Sequence, residues 1–563
     1  MNAPQPLTEA YIHAKRSAFK LAVNRATRSA AARAEDEPAF AAHAPLQAYR
    51  HAWHWLRENV HPRYFDDVLA ASANPSFATL AELLANTESG DAFAAAYLDY
   101  GLSLPTEDGL NQTMRALLAQ HQNDRQAALH AHAELWRDSG HYVVPVRESV
   151  RAEQMRQKAL DAELLGPLDQ ERLALIDALP DPPNPPPVRF DKVGIIPRMS
   201  CPQSCPHCLF IHRSPVRASD KQAREVLKQA QRISGQMLFS GGDLTDDLPL
   251  FYHAVESLNN VARFAILLNG EFAIETDNAR RVLTAMQSAL NKRSRKAKPA
   301  RIALQISFDD FHQEIQANHR GELRERIPVA AIANIIEAWL PTSDIELSLQ
   351  HKQTSANFDP RTLFSQGALG RLTAQLAARG YSVAVDALSH SPREKQLPQD
   401  AAKAARPVSY ATFHLQKFPH KLIHLMSSVI DAYGRAATLD PSAYINEKSL
   451  LNAWLNGAQP PMDPFDRDPM LWLDGRVTLF SATHICLGNA QTEGWERVWS
   501  RWRKDPLAQA LAQMDRTLIE RFAALWPDKL AQLRRQATSP HYLLYAVTES
   551  SESRLKLTKS LIE

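Results

Sequence analysis

Lys192-Val-Gly-Ile-Ile196-Pro-Arg-Met-Ser-Cys201-Pro-Gln-Ser-Cys205-Pro-His-Cys208 is an apolar run followed at once by a cysteine-rich loop. The run Lys192–Ile196 reads as a strand, and the pattern beyond it repeats. Further apolar runs at Gln236–Phe239, Arg263–Leu268, Arg301–Ser307, Asp344–Leu349 and Tyr381–Val385 read as strands. Between them, Ser219–Ile233, Leu248–Leu258, Asp277–Asn291, Val329–Leu340 and Arg361–Arg379 read as helices. The first helix has a marked start, since Ser219 with Gln222 three residues on makes a capping box. Its Ala223, Val226, Leu227, Ala230 and Ile233 recur on one face. Strands alternating with helices predict βα units and a parallel sheet, because parallel strands need crossover connections. Right-handed crossovers would wind this α/β segment into an open or partly closed barrel. Its chemistry then belongs on the loops that follow the strands.

Outward from this core the pattern changes on both sides. Pro180-Asp-Pro-Pro-Asn-Pro-Pro-Pro187 predicts a stiff extended linker, since each proline fixes φ and biases its predecessor away from helix. Residues 1–180 before it read as a helical region without a convincing strand. Leu46, Tyr49, Trp53, Trp55, Leu56 and Val60 recur at helical spacing there, and a second run extends from Met114 to Trp136. The core spans residues 188–390. Residues 391–563 predict a separate small α+β region. There Leu471–Leu473 and Val477–Phe480 flank Asp474-Gly475, a pair suited to a tight hairpin turn. Helices at Trp495–Trp502 and Leu507–Leu533 follow.

The formal net charge of +2 over 563 residues supplies no global field for nucleic acid, and none is expected as a partner. The basic stretch Lys15 to Arg33 reads as the solvated face of a helix, with an anionic partner as the sharper alternative. No apolar run reaches the ~20 residues needed to cross a bilayer. The start of the chain lacks the pattern of a secretory signal, so a cytoplasmic protein without membrane contact is expected.

A disulfide-stapled secreted domain would spread its cysteines more widely than Cys201, Cys205, Cys208 and Cys486 are spread. The C-x3-C-x2-C cluster asks instead for a metal. Three local thiolates suit an iron–sulfur cluster, which usually takes four, and would leave one iron open to an outside ligand. Zinc is the competitor, with His207 or Cys486 as fourth ligand, although His207 next to Cys208 makes tetrahedral closure awkward.

The triad, with an aromatic ring at His207 before its last cysteine, resembles the signature of the radical S-adenosylmethionine (SAM) superfamily. Ser240-Gly241-Gly242-Asp243 after the second strand resembles that family's Gly-Gly-Glu motif, with Asp for Glu. Leu268-Asn269-Gly270 resembles its Thr-Asn-Gly turn, with Leu for Thr. The resemblance implies a partial (β/α)6 barrel, a [4Fe-4S] cluster on Cys201, Cys205 and Cys208, and SAM held near His207, Ser240, Gly241, Gly242, Asp243, Asn269 and Ser307. It further implies reductive SAM cleavage, a 5′-deoxyadenosyl radical, and an oxidoreductase or transferase supplied with electrons by a flavodoxin or ferredoxin. The hairpin, with Cys486-Leu-Gly-Asn489 after it, resembles the SPASM/twitch auxiliary domain without its cluster cysteines. The auxiliary likeness favours a peptide substrate, and the missing cysteines favour a small molecule.

Ser307-Phe-Asp309-Asp310-Phe-His312 closes the fourth strand. Asp309, Asp310 and His312 are candidate catalytic residues, His312 because imidazole exchanges a proton near neutral pH. The plainer reading of the two acids is that they cap turns. Gln350, His351, Lys352 and Asp386 are candidates by position alone, and His414, His420 and His424 are too irregular to form a metal set. Two other readings stay open: transfer of an aminocarboxypropyl group by cleavage of a different SAM bond, and a non-catalytic protein with a structural metal.

Overall fold

The computed structural model describes residues 7–36, 55–69 without 57, 83, 90–130, 164–209 without 186 and 204, 218–353, 364–389, 410–430, 434–439, 448–458 and 464–563. The chain forms two compact units. One comprises Met1–Gln5, Gln154–Glu314 and Glu325–Glu563, the other Pro6–Glu153 and Ile315–Arg324.

The larger unit is a mixed α/β structure on an eleven-stranded sheet. Its strands begin with β1 (Val193–Ile196), β2 (Gln236–Phe239), β3 (Arg263–Leu268) and β4 (Arg301–Ser307). A two-stranded ribbon of β5 (Ile315–Ala317) and β6 (Leu323–Glu325) lies outside that sheet. The sheet continues with β7 (Ile345–Gln353), β8 (Val383–Ser389), β9 (Tyr410–Leu415) and β10 (Ile423–Val429). It ends with β11 (Pro469–Trp472), β12 (Arg476–Leu479) and β13 (Cys486–Asn489). The spatial order is β13-β12-β11-β1-β2-β3-β4-β7-β10-β9-β8, with β1, β2, β3, β4, β7 and β10 mutually parallel.

The first five strands read from the sequence thus stand side by side, in order. The sixth does not. β8 lies at the far edge, antiparallel to β9, and β10 takes the sixth parallel place beside β7. A (β/α)6 order is therefore replaced by one in which a β8–β9–β10 meander doubles back. His414 and His424, outside the expected strand pattern, belong to that meander. The C-terminal hairpin also departs from the expectation of a separate region. Gly475, at φ +95°, makes the turn, but β11 pairs in parallel with β1 and extends the same sheet.

The reason this sheet forms is legible in its alternation. Ile302, Leu304 and Ile306 are fully buried, as are Leu347 and Leu349 across the register, and with the neighbouring strands they form the main core. The intervening Gln305, Ser307, Ser348 and Gln350 carry polar groups on the other face. The helix Asp220–Ile233 has the expected capping box and buries the five expected residues. The stretch 507–533 is not one helix. It breaks into Pro506–Ala512, Thr517–Leu525 and Pro527–Gln536, with Met514 at φ 51° in one break and an extended Trp526 before Pro527 in the other.

In the smaller unit the regular elements described before residue 130 are helical. Tyr11 and Phe19 of the helix Leu7–Asp36 pack with Leu56, Val60, Val68 and Ile315. The Tyr64 hydroxyl donates to the Gly321 carbonyl at 2.7 Å, tying the β5–β6 ribbon into that unit. Three-residue strands have too little periodicity to be seen in the sequence. Leu46, Tyr49 and Trp53, and the end of the run to Trp136, lie outside the described residues. Among the described residues no helix is long and apolar enough to cross a membrane.

Candidate functional site

β1 delivers the chain to the cysteine loop, and the segment after β2 is stitched to that loop through backbone. The Ser240 amide donates to Ile195, the Gly242 amide to Arg198, and the Asp243 amide to Ser200, at 2.9, 2.9 and 3.0 Å. A Cβ on Gly241, whose φ is +145°, would lie 2.4 Å from the Arg198 carbonyl oxygen. One on Gly242 would lie 2.1 Å from that of Ser200. The two glycines therefore have a reason internal to the chain: the cysteine loop's own backbone occupies the space their missing side chains leave. Asp243 turns its Oδ1 to the Thr245 amide and hydroxyl, at 3.1 and 2.8 Å. Arg198 pins the loop to the following turn by ion pairs with Asp246 and Asp247.

The third strand's turn joins the same loop. Gln203 Nε2 donates to Glu271 Oε2 at 2.8 Å, and the Glu271 amide donates to Asn269 Oδ1 at 2.9 Å. Asn269 Nδ2 is buried without a hydrogen-bond partner. At the loop's far end the Arg435 amide donates to the Cys208 carbonyl at 2.9 Å. None of Arg198, Gln203, Glu271 or Arg435 stands out in the sequence. Arg198 lies inside the cysteine stretch, but nothing in one dimension pairs it with Asp246 and Asp247.

After β4 the chain returns to the cysteines. Asp309 is 1% exposed, and its carboxylate bridges two imidazoles: Oδ1 lies 3.0 Å from His312 Nδ1, and Oδ2 lies 3.3 Å from His207 Nε2. Oδ1 also accepts from the amides of Phe311 and His312. His207 stacks on Phe311, with ring centroids 4.5 Å apart, and meets His312 edge-on. Its Nδ1 is buried and unpartnered. Ligand atoms of His207, Asp309 and His312 all lie within 4.8 Å of one another, close enough to hold a single ion.

Burial disfavours charge throughout this cluster, yet the groups charge one another. For His312 burial is outweighed by the charge and hydrogen bond of Asp309, then by Cys205, and its pKa is held up at about 10. For Asp309 burial is likewise outweighed by His312 and His207, which hold the carboxyl well below the usual range. For His207 burial wins over Asp309, and its pKa is lowered. Asp309 and His312 thus form a buried ion pair, with a neutral His207 beside it.

Other candidates go elsewhere. Asp310 Oδ1 accepts from the Ala368 amide at 2.7 Å, at the start of the helix Gly367–Ala378. Ser307 ends β4 opposite Gln350 of β7. His351 Nδ1 meets the Phe308 carbonyl, Asp386 pairs with His414, and Tyr410 with His424. Cys486 is buried on β13, where its thiol donates weakly to Gly488 and burial pushes its pKa up to about 11. Burial thus disfavours its thiolate, the reactive form.

The donor chemistry fits a cluster and its amino-acid ligand. Three thiols lie on one loop, and buried polar atoms of Asn269 and His207 beside that loop lack partners within the chain.

No protein-family model matches this chain, and a search of curated proteins finds no match. Among solved structures, the crystal structure of Streptococcus suis SuiB aligns over 83% of this chain and 83% of its own, at 10% identity and a TM-score of 0.28. At that score the likeness carries no weight for fold or function.

Proposed function

We propose that this chain is a radical SAM enzyme. The observation that carries the reading is the joining of three separate motifs: the cysteine loop, Ser240–Asp243 and the Asn269 turn are hydrogen-bonded into one assembly at the ends of β1, β2 and β3. Cys201, Cys205 and Cys208 would hold a [4Fe-4S] cluster, leaving one iron for the amino and carboxylate groups of SAM. When bound and reduced, that pair supplies an electron to a carbon–sulfur bond and so a 5′-deoxyadenosyl radical for hydrogen abstraction. The residues around it position and exclude. Asp243 and the Asn269 amide group offer polar contacts to the ligand, His207 offers its unpartnered ring nitrogen, and Phe311 keeps water from that ring. The polar face of β4 and β7, with Ser307 and Gln350, supports binding of a polar substrate, peptide or small molecule. A flavodoxin or ferredoxin would deliver the electron.

The test is anaerobic reconstitution with iron and sulfide, then dithionite and SAM, beside Cys201→Ala, Cys205→Ala and Cys208→Ala proteins. About four irons per chain and 5′-deoxyadenosine, both lost in the variants, are expected. Methylthioadenosine would redirect the chemistry to aminocarboxypropyl transfer. Zinc with intact SAM would leave a structural metal protein.

A further inference from the structure

The turn after β4 offers a second set of metal donors, built without sulfur. His207 Nε2 lies 3.3 Å from Asp309 Oδ2, and His312 Nδ1 lies 3.0 Å from Asp309 Oδ1. The donor atoms of the three residues fall within 4.8 Å of one another, and among the described residues no other set of histidines, cysteines and acids converges so closely. Donors bound to one ion at about 2.0–2.2 Å stand roughly 3–3.5 Å apart in octahedral or tetrahedral geometry, which matches both measured separations. A carboxylate that only oriented a histidine would need one ring. Asp309 has two, from different parts of the chain, and they meet edge-on with centroids 4.9 Å apart.

The surroundings hold these donors in place, as the contacts behind a metal ligand do. Asp309 Oδ1 accepts from the Phe311 and His312 amides at 3.0 and 2.9 Å, and the Asp309 amide donates to Gln313 Oε1 at 2.9 Å. The His312 carbonyl accepts from the Ile327 amide at 3.1 Å, and the His207 ring lies on Phe311. Asp309 is almost wholly buried, but the His312 side chain is 15% exposed and opens one edge of the set to an entering ion and its waters. The donor types decide the class of ion. Calcium and magnesium take oxygen ligands, whereas imidazole suits zinc, iron, nickel and copper. Three protein ligands leave positions free for water or a polar substrate, as in catalytic and not in closed structural sites.

We propose that His207, Asp309 and His312 bind one divalent transition-metal ion of the zinc or ferrous class, in addition to any cluster on Cys201, Cys205 and Cys208. His207 sits between Cys205 and Cys208 in sequence, so the ion would clamp the cysteine loop to the end of β4. His207 would bind through Nε2, which leaves its buried, unpartnered Nδ1 unused. The site adds to the radical SAM reading and does not depend on it.

The probe is cobalt(II), whose spectrum reports its ligands. Full-length protein carrying Cys201→Ala, Cys205→Ala and Cys208→Ala together is stripped with chelator and titrated anaerobically. A single cobalt per chain is expected, with visible d–d absorption and without the near-ultraviolet charge-transfer band of a thiolate ligand. Adding Asp309→Asn or His312→Gln should weaken binding by roughly 100-fold or more, since even the contacts behind a ligand are worth about 10–100-fold. His420→Gln, on the exposed turn between β9 and β10, should leave it unchanged.

No stoichiometric cobalt in the cysteine-free protein would overturn the proposal, and so would cobalt that survives both substitutions. Should the cysteine-free protein fail to fold by circular dichroism, wild type reconstituted with iron and sulfide and then given zinc decides. Asp309→Asn and His312→Gln are expected to carry one zinc fewer per chain than wild type, whatever the iron content. Equal zinc in all three overturns the site. Wild type without iron removes the cluster reading alone, which is a separate and recognisable failure.

Discussion

A methyl group added at Gly242 would stand 2.1 Å from the Ser200 carbonyl oxygen and 2.7 Å from the Met199 backbone, neither of which can swing aside as a side chain could. Gly242→Ala should therefore move the cysteine loop, and iron bound after reconstitution should fall by roughly half or more, the cost of overpacking a rigid contact. Gly380→Ala is the comparison: nothing lies within 4 Å of its added Cβ, but φ there is +80°. It should lose about 1–2 kcal/mol of stability and bind iron normally. Asp310→Ala separates two meanings of an acid at a strand end. Loss of its bond to the Ala368 amide should cost about 1 kcal/mol, as a lost cap does, seen as a lower Tm with iron content unchanged. At this scale the sequence was informative where chemistry is local. The spacing of Cys201, Cys205 and Cys208 could be read directly, and so could the acid-rich end of β4. That Asp309 bridges two rings while Asp310 caps a helix could not, because adjacent residues in a turn point apart and only the tertiary structure says where.

The helix Pro167–Ala178 stands just before the proline-rich stretch, yet its buried charges belong to the end of the chain. Asp169 takes Arg554 of the helix Ser551–Ile562 bidentately, at 2.7 and 2.9 Å, and Arg172 pairs with Asp505 and donates to Thr558 and the Cys486 carbonyl. All four charged side chains are almost fully excluded from solvent. Asp169→Ala would take the bidentate carboxylate from a buried Arg554 that keeps its bonds to the Thr548 and Glu549 carbonyls, a loss of about 3–5 kcal/mol. A urea midpoint close to that of the wild type would show the pair to be dispensable. The helices and strands of the βα succession could be read from the sequence because each carries its own periodicity, and the first helix also its cap at Ser219 and Gln222. The pairing partners of β8, β10 and β11 could not. A strand's apolar pattern states which face is buried, but not beside which strand it will lie. The same holds for the stretch 507–533, where periodicity runs on through breaks set by Met514 and Pro527.

Across the whole molecule, pH also enters through a buried group outside the cysteine loop. His484 is pushed well below its ordinary pKa of 6.5 by burial, then by the charges of Arg554 and Arg172, while its Nε2 meets the Thr548 hydroxyl at 2.8 Å. Folded, it stays neutral; unfolded, it takes up a proton once the pH drops below 6.5. Its contribution is therefore complete above that value and lost as pH falls. The Tm of protein lacking a cluster should decline between about pH 7 and pH 5, and less steeply in His484→Gln. An equal slope in both would assign the decline to other groups. The sheet's connectivity bears on how the protein is made. β1, which launches the cysteine loop, is bordered on one side by β2 and on the other by β11. During synthesis β2 follows soon after β1, whereas β11 is made only after all the other parallel strands of the sheet. Until then β1 is a nascent edge with unpaired amides and carbonyls, open to wrong partners. A chain cut short before β11 would therefore carry all three cysteines and lack the strand that braces β1.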